Sequence, residues 1–173
     1  MISRLSNFVG PLGSFFSSVG IPIQSYQYLR WIMTKTKGTD TSFAAIQVAD
    51  LVLLYQGATV SWGPSASVTN PDGTTFPSET PINILDYNSG TKWCNTIFGT
   101  TSFGTASIFI DNVNPLIFDS YYYVTGNDDP VRDPVTWTLS GSNDNSTWTI
   151  LNTQSNVTIT DDRQASTQIF NIS

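Results

Sequence analysis

The fold of this chain is decided by residues 125–151, TGNDDPVRDPVTWTLSGSNDNSTWTIL. Apolar and hydroxylated residues alternate over Val135–Ser140, and the alternation resumes over Thr147–Leu151 after a polar turn at residues 141–145. Alternation with a period of two is typical of half-buried strands. The stretch therefore predicts a β-hairpin whose apolar face, with its two tryptophans, packs in a core.

The loop before this hairpin concentrates charged side chains between prolines. Asp128, Asp129 and Arg132 are candidates for ligand binding, because carboxylates and a guanidinium beside aromatic rings can bind sugar hydroxyls. The alternative is an internal ion pair between Arg132 and Asp133 that fixes the loop. The sequence leaves both interpretations open.

The composition limits the class of protein. A length of 173 residues suits one domain, and the 12% of charged residues among many Ser, Thr and Asn suits strands joined by polar loops. A net charge of −6 argues against nucleic acid as a partner. The absence of His excludes a Ser-His-Asp triad and an imidazole zinc site. Because Glu79 is the single glutamate, glycoside hydrolysis is also disfavoured, and we expect no enzymatic activity.

Residues 1–25 differ from the rest of the chain. Apolar residues recur at intervals of three and four between Leu5 and Val19, but Gly10 and Pro11 interrupt them, which predicts an arm with at most a short helix. The segment lacks the pattern of a signal peptide and is too short and polar to span a bilayer. It either docks on a protein partner, such as a capsid or other assembly, or on a membrane surface, or packs on its own domain.

Residues 26–173 are predicted to form a single antiparallel β-sandwich of about eight short strands joined by long loops. The alternation within Ala45–Tyr55 breaks after Val48, which predicts a bulge near Asp50. Besides the hairpin, the predicted strands are Tyr28–Thr34, Ala45–Tyr55, Ala58–Trp62, Ala106–Ile110, Ile117–Thr125, Val157–Ile159 and Gln168–Ile172.

Several segments of this domain match one known family. They are Tyr28–Trp31, Ile46–Leu51, Leu85–Trp93, Arg132–Trp137, and Gly141–Asp144 followed by Trp148. Together they resemble the discoidin family, also called coagulation-factor C-type domains. The resemblance implies a galactose-binding-like jelly roll that covers nearly the whole chain apart from the arm, and a binding module rather than an enzyme.

The order of the segments departs from the family. The strand pair at Tyr28–Trp31 and Ile46–Leu51 precedes the tryptophan hairpin here, whereas in the family it usually follows. This order predicts a circularly permuted sandwich, in which neighbouring termini are joined and new ends are opened. The alternative is a truncated chain whose missing tail carries another copy of the pair.

The resemblance also implies a calcium site. In the resembling domains a loop of the form Asp-x-x-x-x-Thr-x-Trp commonly binds Ca²⁺ through oxygen atoms, and an acidic residue of the strand pair completes the site. The matching residues are Asp86, Asn88, Thr91 and Asp50. Tyr87 stands where the family usually has Gly, which puts the tight loop in question. The alternative is a loop closed by side-chain hydrogen bonds without a metal.

The aromatic residues fall into two groups. Those in strand-like or motif positions are predicted to be core residues: Trp31, Trp93, Trp137 and Trp148. Those in loops are predicted to present exposed rings to a ligand: Trp62, Phe76, Phe98 and Phe103.

These observations favour a non-catalytic module that recognises a glycan on a virion surface or another extracellular surface, with Ca²⁺ bound. The alternative is a structural virion or surface-layer protein that is held by its N-terminal arm and has no ligand of its own. A lipid-binding role is disfavoured, because the acidic chain would need Ca²⁺ to bridge it to a membrane.

Overall fold

The computed structural model describes residues 24–38, 45–96 and 105–173, so the predicted arm falls almost wholly outside the described residues. Within these ranges there are twelve strands and two short 3₁₀ helices. The helices are Pro81–Leu85 and Pro130–Arg132. Strands β1 to β12 are, in order, Ser25–Thr36, Ala45–Val48, Asp50–Tyr55, Ala58–Val60, Ser67–Thr69, Thr74–Thr75, Trp93–Thr96, Ala106–Ile117, Ser120–Val124, Pro134–Ser142, Thr149–Gln154 and Phe170–Asn171.

The strands form three antiparallel sheets. The large sheet has the order β11-β10-β1-β8-β5, and a facing sheet has the order β12-β9-β3-β4. A small third sheet has the order β2-β7-β6. The predicted all-β, antiparallel architecture is confirmed. No helix in the described part of the chain is long and apolar enough to cross a membrane.

Aromatic residues from the large and facing sheets meet in the core. On β1, Trp31 is fully buried, and its ring centroid lies 6.1 Å from that of Trp137 on β10 and 5.7 Å from that of Tyr123 on β9. The indole Nε1 of Trp137 donates to the hydroxyl of Tyr121, also on β9, at 2.7 Å. Each such aromatic pair contributes about 0.5–1.5 kcal/mol beyond its buried area. These contacts pack the two sheets face to face as a sandwich.

The predicted strand Ala45–Tyr55 is two strands in different sheets. Val48 ends β2, which pairs with β7, and Asp50 begins β3, which pairs with β9. Between them the backbone N–H of Ala49 donates to the carbonyl of Val124 at 2.9 Å. The predicted break in the alternation near Asp50 is present, but it is a change from one sheet to another and not a bulge within one strand.

Most strand boundaries differ from the sequence prediction, and two differences are large. Strand β8 runs to Ile117 rather than Ile110, because a backbone irregularity at Val113, with φ of 67°, lets the chain pass the turn-like residues 111–115 and resume pairing with β1. Residues 157–159 form no strand; Val157 instead makes a single backbone hydrogen bond, of 2.9 Å, to Val135.

The beginning of β1 and the segment after β12 lie at the same corner of the sandwich. Ser25 pairs with Ile117, and the backbone N–H of Ile172 donates to the carbonyl of Asp119 at 3.0 Å. Circular permutation requires such neighbouring ends. The permutation and the discoidin resemblance both stay predictions.

Candidate functional site

The centre of the outer face of the large sheet carries aromatic and charged residues. Tyr28 and Arg30 alternate along β1 with the core residues, and across the strands they lie opposite Asp111 and Phe109 of β8. Residues directly opposite each other in an antiparallel pair place their side chains on the same face. All four are half-buried, so they form one mixed patch rather than part of the core.

A groove with a volume of 380 Å³ opens beside this patch. We call it the sheet groove. Its size falls within the range of small-ligand sites. The residues that line it are Tyr28, Ser67, Thr69, Pro71, Phe109, Ile110, Asp111, Asn145 and Trp148. Aromatic rings and oxygen-bearing side chains thus face one open concavity.

Trp148 forms one wall of the sheet groove and is only half-buried, so the prediction that it is a core residue is wrong. The pairing of β10 with β11 shifts between Leu139 and Ser140, which reverses the phase of the alternation. As a result Leu151 is fully buried while Ile150 is 62% exposed, and Trp148 lies on the outer face with Ile150.

The turn before Trp148 is fixed by one carboxylate. Asp144 accepts hydrogen bonds from the backbone N–H groups of Thr147, at 2.7 Å, and Ser146, at 2.9 Å. These bonds, with one from the Ser142 hydroxyl, hold the pKa of Asp144 well below its usual range. The position of Trp148 is therefore set by a tightly hydrogen-bonded turn.

Arg30 holds the Trp148 ring in place. Its guanidinium carbon lies 4.4 Å from the ring centroid, and Phe109 forms an edge-to-face pair with the same ring at a centroid distance of 6.1 Å. Among the described residues Arg30 has no hydrogen-bonded or ionic oxygen partner, and its Nε is buried without one. Described basic residues that do bind oxygen are Lys35, Lys37, Lys92, Arg132 and Arg163.

Asp111 supplies the charged group of the sheet groove. Its Oδ1 accepts hydrogen bonds from the backbone N–H of Val113, at 2.7 Å, and from Nε2 of Gln27, at 3.1 Å. Oδ2 receives no hydrogen bond from any described residue. The side chain is thus held at one oxygen and retains acceptor capacity at the other.

The predicted calcium residues are brought together at one end of the sandwich. Asp50 is 3% exposed, and its Oδ1 has no hydrogen-bond partner among the described residues. Burial, and then the negative charge of Asp86, raise the pKa of Asp50 to about 6, although the backbone N–H groups of Tyr87 and Asn88 partly offset this rise. Two carboxylates with one buried free oxygen would favour a cation between them.

The loop that contains Asp86 is closed by its own side-chain hydrogen bonds, as the alternative to a calcium site predicted. Oδ1 of Asp86 accepts from the backbone N–H of Asn88 at 2.9 Å, and Oδ2 accepts from the Thr91 hydroxyl at 2.7 Å. Tyr87 adopts the left-handed conformation, with φ of 56°, that Gly would supply at lower cost. Its hydroxyl donates to the carbonyl of Val60 at 2.9 Å, which helps to hold it there. No group of three or more His, Cys, Asp or Glu side chains is placed to bind a metal in the described ranges.

The predicted ligand residues of the loop before β10 are paired with the protein itself. The buried ammonium of Lys92 lies 2.6 Å from Oδ2 of Asp128, and Nη1 of Arg132 lies 3.2 Å from the same oxygen. Oδ1 of Asp129 accepts from the backbone N–H of Val131 at 3.2 Å and caps the second 3₁₀ helix. The loop is thus fixed internally, as the alternative interpretation expected.

Asp133 forms its ion pair with Arg163 and not, as predicted, with Arg132. Asp133 is fully buried and is bound in a bidentate manner by Arg163, with contacts of 3.0 and 2.5 Å. Burial raises the pKa of Asp133, and the guanidinium of Arg163 opposes that rise. Arg132 pairs instead with Asp128.

The loop aromatics divide in the structure. The prediction of an exposed ring is wrong for Trp62, which is 9% exposed and whose Nε1 donates to the carbonyl of Leu51 at 3.2 Å. Phe76 is 46% exposed, as predicted. Phe98 and Phe103 lie outside the described residues. The predicted burial of Trp31, Trp93 and Trp137 is confirmed.

No protein-family model, curated protein or solved structure matches this chain.

Proposed function

We propose that this protein is a non-catalytic module that binds carbohydrate in the sheet groove. The observation that carries the proposal is the convergence of Tyr28, Phe109 and Trp148 with the carboxylate of Asp111 in one open groove. Aromatic rings stack on the apolar faces of sugars, and a carboxylate accepts hydrogen bonds from their hydroxyls. Ser67 and Thr69 also line the sheet groove, and their hydroxyls add further donors and acceptors.

The contacts of the loop residues favour the sheet groove over the loops as the site. Asp128 and Arg132 neutralise each other and Lys92, so a ligand would have to break existing ion pairs to bind there. Trp62 is 9% exposed, so it offers a ligand little ring surface. Of the predicted loop residues that the structure describes, Phe76 alone offers an exposed ring.

The proposed setting is a virion or another extracellular surface, and it rests on the sequence alone. The single cysteine, Cys94, cannot form an intrachain disulfide, so the chain needs no oxidising compartment in order to fold. On this proposal the N-terminal arm contacts a protein partner while the sandwich presents the sheet groove to a glycan.

We further propose Ca²⁺ as a structural ligand beside Asp50. The residues fit such an ion: Asp50 has a buried oxygen without a partner, and Asp86 places a second negative charge nearby. Asn88 and Thr91 would contribute further oxygens if the loop exchanged its internal bonds for the ion. When bound, Ca²⁺ would supply the positive charge that relieves the repulsion between the two carboxylates, and it would have no direct role in sugar binding.

A glycan array probed with the full chain tests the proposed function. We expect binding to a subset of glycans, with dissociation constants in the weak range that a shallow groove with a few rings supports. The array is read in Ca²⁺ and again in chelator, and we expect binding in both, because the sheet groove lies apart from the calcium residues. A chain that binds no glycan in either condition contradicts the proposal and favours the purely structural role.

A further inference from the structure

We infer that the sheet groove selects uncharged sugars, and that Asp111 is the residue that rejects acidic ones. The inference rests on the proposed carbohydrate function and names the ligand class for the same site. It follows from the charge that lines the sheet groove, from the way that charge is held, and from the position of the nearest cation.

Asp111 is the sole charged residue among those that line the sheet groove. A ligand carboxylate placed against the aromatic rings would therefore approach a protein carboxylate of the same sign. Like charges brought together in a partly desolvated site disfavour binding strongly. A sugar hydroxyl in the same place would instead donate a hydrogen bond to Oδ2.

The Asp111 carboxylate is also held in position. Its Oδ1 accepts from the backbone N–H of Val113, at 2.7 Å, and from the Gln27 side chain, at 3.1 Å. Turning the carboxylate away from an acidic ligand would break both hydrogen bonds. The repulsion is thus built into the site and is not relieved by a change of rotamer.

Arg30 does not reverse this preference. Its guanidinium stacks on the Trp148 ring, 4.4 Å from the centroid, and Arg30 is absent from the residues that line the sheet groove. The guanidinium thus lies against the Trp148 ring and is not one of the groups that line the sheet groove. The net charge of the chain, −6, opposes an anionic ligand further.

The experiment titrates the full chain with pairs of ligands. Neutral gluco-, manno- and galacto-oligosaccharides are each matched with the corresponding uronic-acid oligomer, at low ionic strength where charge effects are least screened. The proteins are the wild type, Asp111→Asn, and the control Asp162→Asn, which removes an exposed carboxylate outside the groove. Asn keeps the Oδ1 acceptor for Val113 and Gln27, and near-ultraviolet circular dichroism checks that the variant is folded.

We expect the wild type and Asp162→Asn to bind a neutral oligomer at least about tenfold more tightly than its acidic counterpart. In Asp111→Asn the ratio of the two dissociation constants should be closer to one, chiefly because this variant binds the acidic oligomer more tightly. Equal or tighter binding of acidic oligomers by the wild type, or an unchanged ratio in Asp111→Asn, would overturn the inference and leave the carbohydrate function standing. Failure of every oligomer to bind would count against the carbohydrate function itself.

Discussion

Replacing Asp50 with Asn should stabilise the metal-free protein at neutral pH. The carboxyl is 3% exposed and has an oxygen without a hydrogen-bond partner among the described residues. Burial and the charge of Asp86 raise its pKa to about 6. The folded state therefore binds the Asp50 proton more tightly than the unfolded chain does, and ionisation of this group destabilises the fold.

The sign and size follow from proton linkage. Between the ordinary pKa of 3.8 and the folded value of about 6, the folded state carries more protons than the unfolded state. The free energy of unfolding therefore falls as pH rises through this window. The pKa difference corresponds to a loss of at most about 3 kcal/mol, complete above pH 6 to 7. Asn does not titrate, so the free energy of unfolding of Asp50→Asn should exceed that of the wild type by an amount that grows between pH 4 and about pH 6.

Urea denaturation in chelator, at pH 4 to 8, measures the effect. The difference in free energy of unfolding between Asp50→Asn and the wild type reports the ionisation of Asp50 together with its repulsion of Asp86, because groups far from Asp50 titrate alike in both proteins. Asp162→Asn, which removes an exposed carboxylate, serves as the control for the loss of one negative charge. A variant whose advantage over the wild type does not grow from pH 4 to pH 7 would refute the reasoning.

Three further predictions concern the cation and the fold. Adding Ca²⁺ to chelator-treated protein should raise the melting temperature of the wild type but not of Asp50→Asn. An ion present at about 100 times its dissociation constant stabilises the folded state by about 2.7 kcal/mol. An unchanged wild-type melting temperature would contradict the calcium proposal. Val113→Asn should raise the free energy of unfolding, measured in urea, by about 1 kcal/mol. Val113 is 49% exposed, and its φ of 67° strains a β-branched residue, whereas Asn adopts that conformation more readily. A loss of stability would show that the conformation of Val113 is not strained. Trp137→Ala should lower the free energy of unfolding by about 3–5 kcal/mol. Trp148→Ala, at a half-buried position, should lower it clearly less. Equal losses would contradict the assignment of Trp148 to the outer face.

The fold was predictable because alternation with a period of two marks the strands directly. Val135–Ser140 places Trp137 in the core as its pattern indicates, and Ala45–Tyr55 shows a broken alternation where the chain changes sheets. The extension of β8 to Ile117 was not predictable, because residues 111–115 have the composition of a turn and pairing with β1 overrides it.

The candidate site depends on strand register, which no local pattern supplies. Tyr28 and Asp111 come together because β1 pairs with β8 in one particular alignment. The alternation within each strand does place Tyr28, Arg30 and Phe109 away from the core, and that signal could have pointed to an aromatic outer face. It could not have shown that the rings share a groove.

Trp148 was misassigned for a related reason. Extending the alternation across the turn assumes regular pairing, and the shift opposite Leu139 and Ser140 reverses the phase. The calcium residues were easier to group, since Asp86, Asn88 and Thr91 lie in one short loop and Asp50 begins a neighbouring strand.

The most direct test of the sheet groove is the affinity of a neutral oligosaccharide for three proteins, measured by isothermal titration calorimetry. Truncating Trp148 should remove about 1.5–3 kcal/mol of aromatic burial by the sugar, so Trp148→Ala should bind at least about tenfold more weakly than the wild type. Phe76→Ala, which removes an exposed ring that does not line the sheet groove, should bind as the wild type does. Full affinity in Trp148→Ala, with a loss in Phe76→Ala, would contradict the account and place the sugar on the loops.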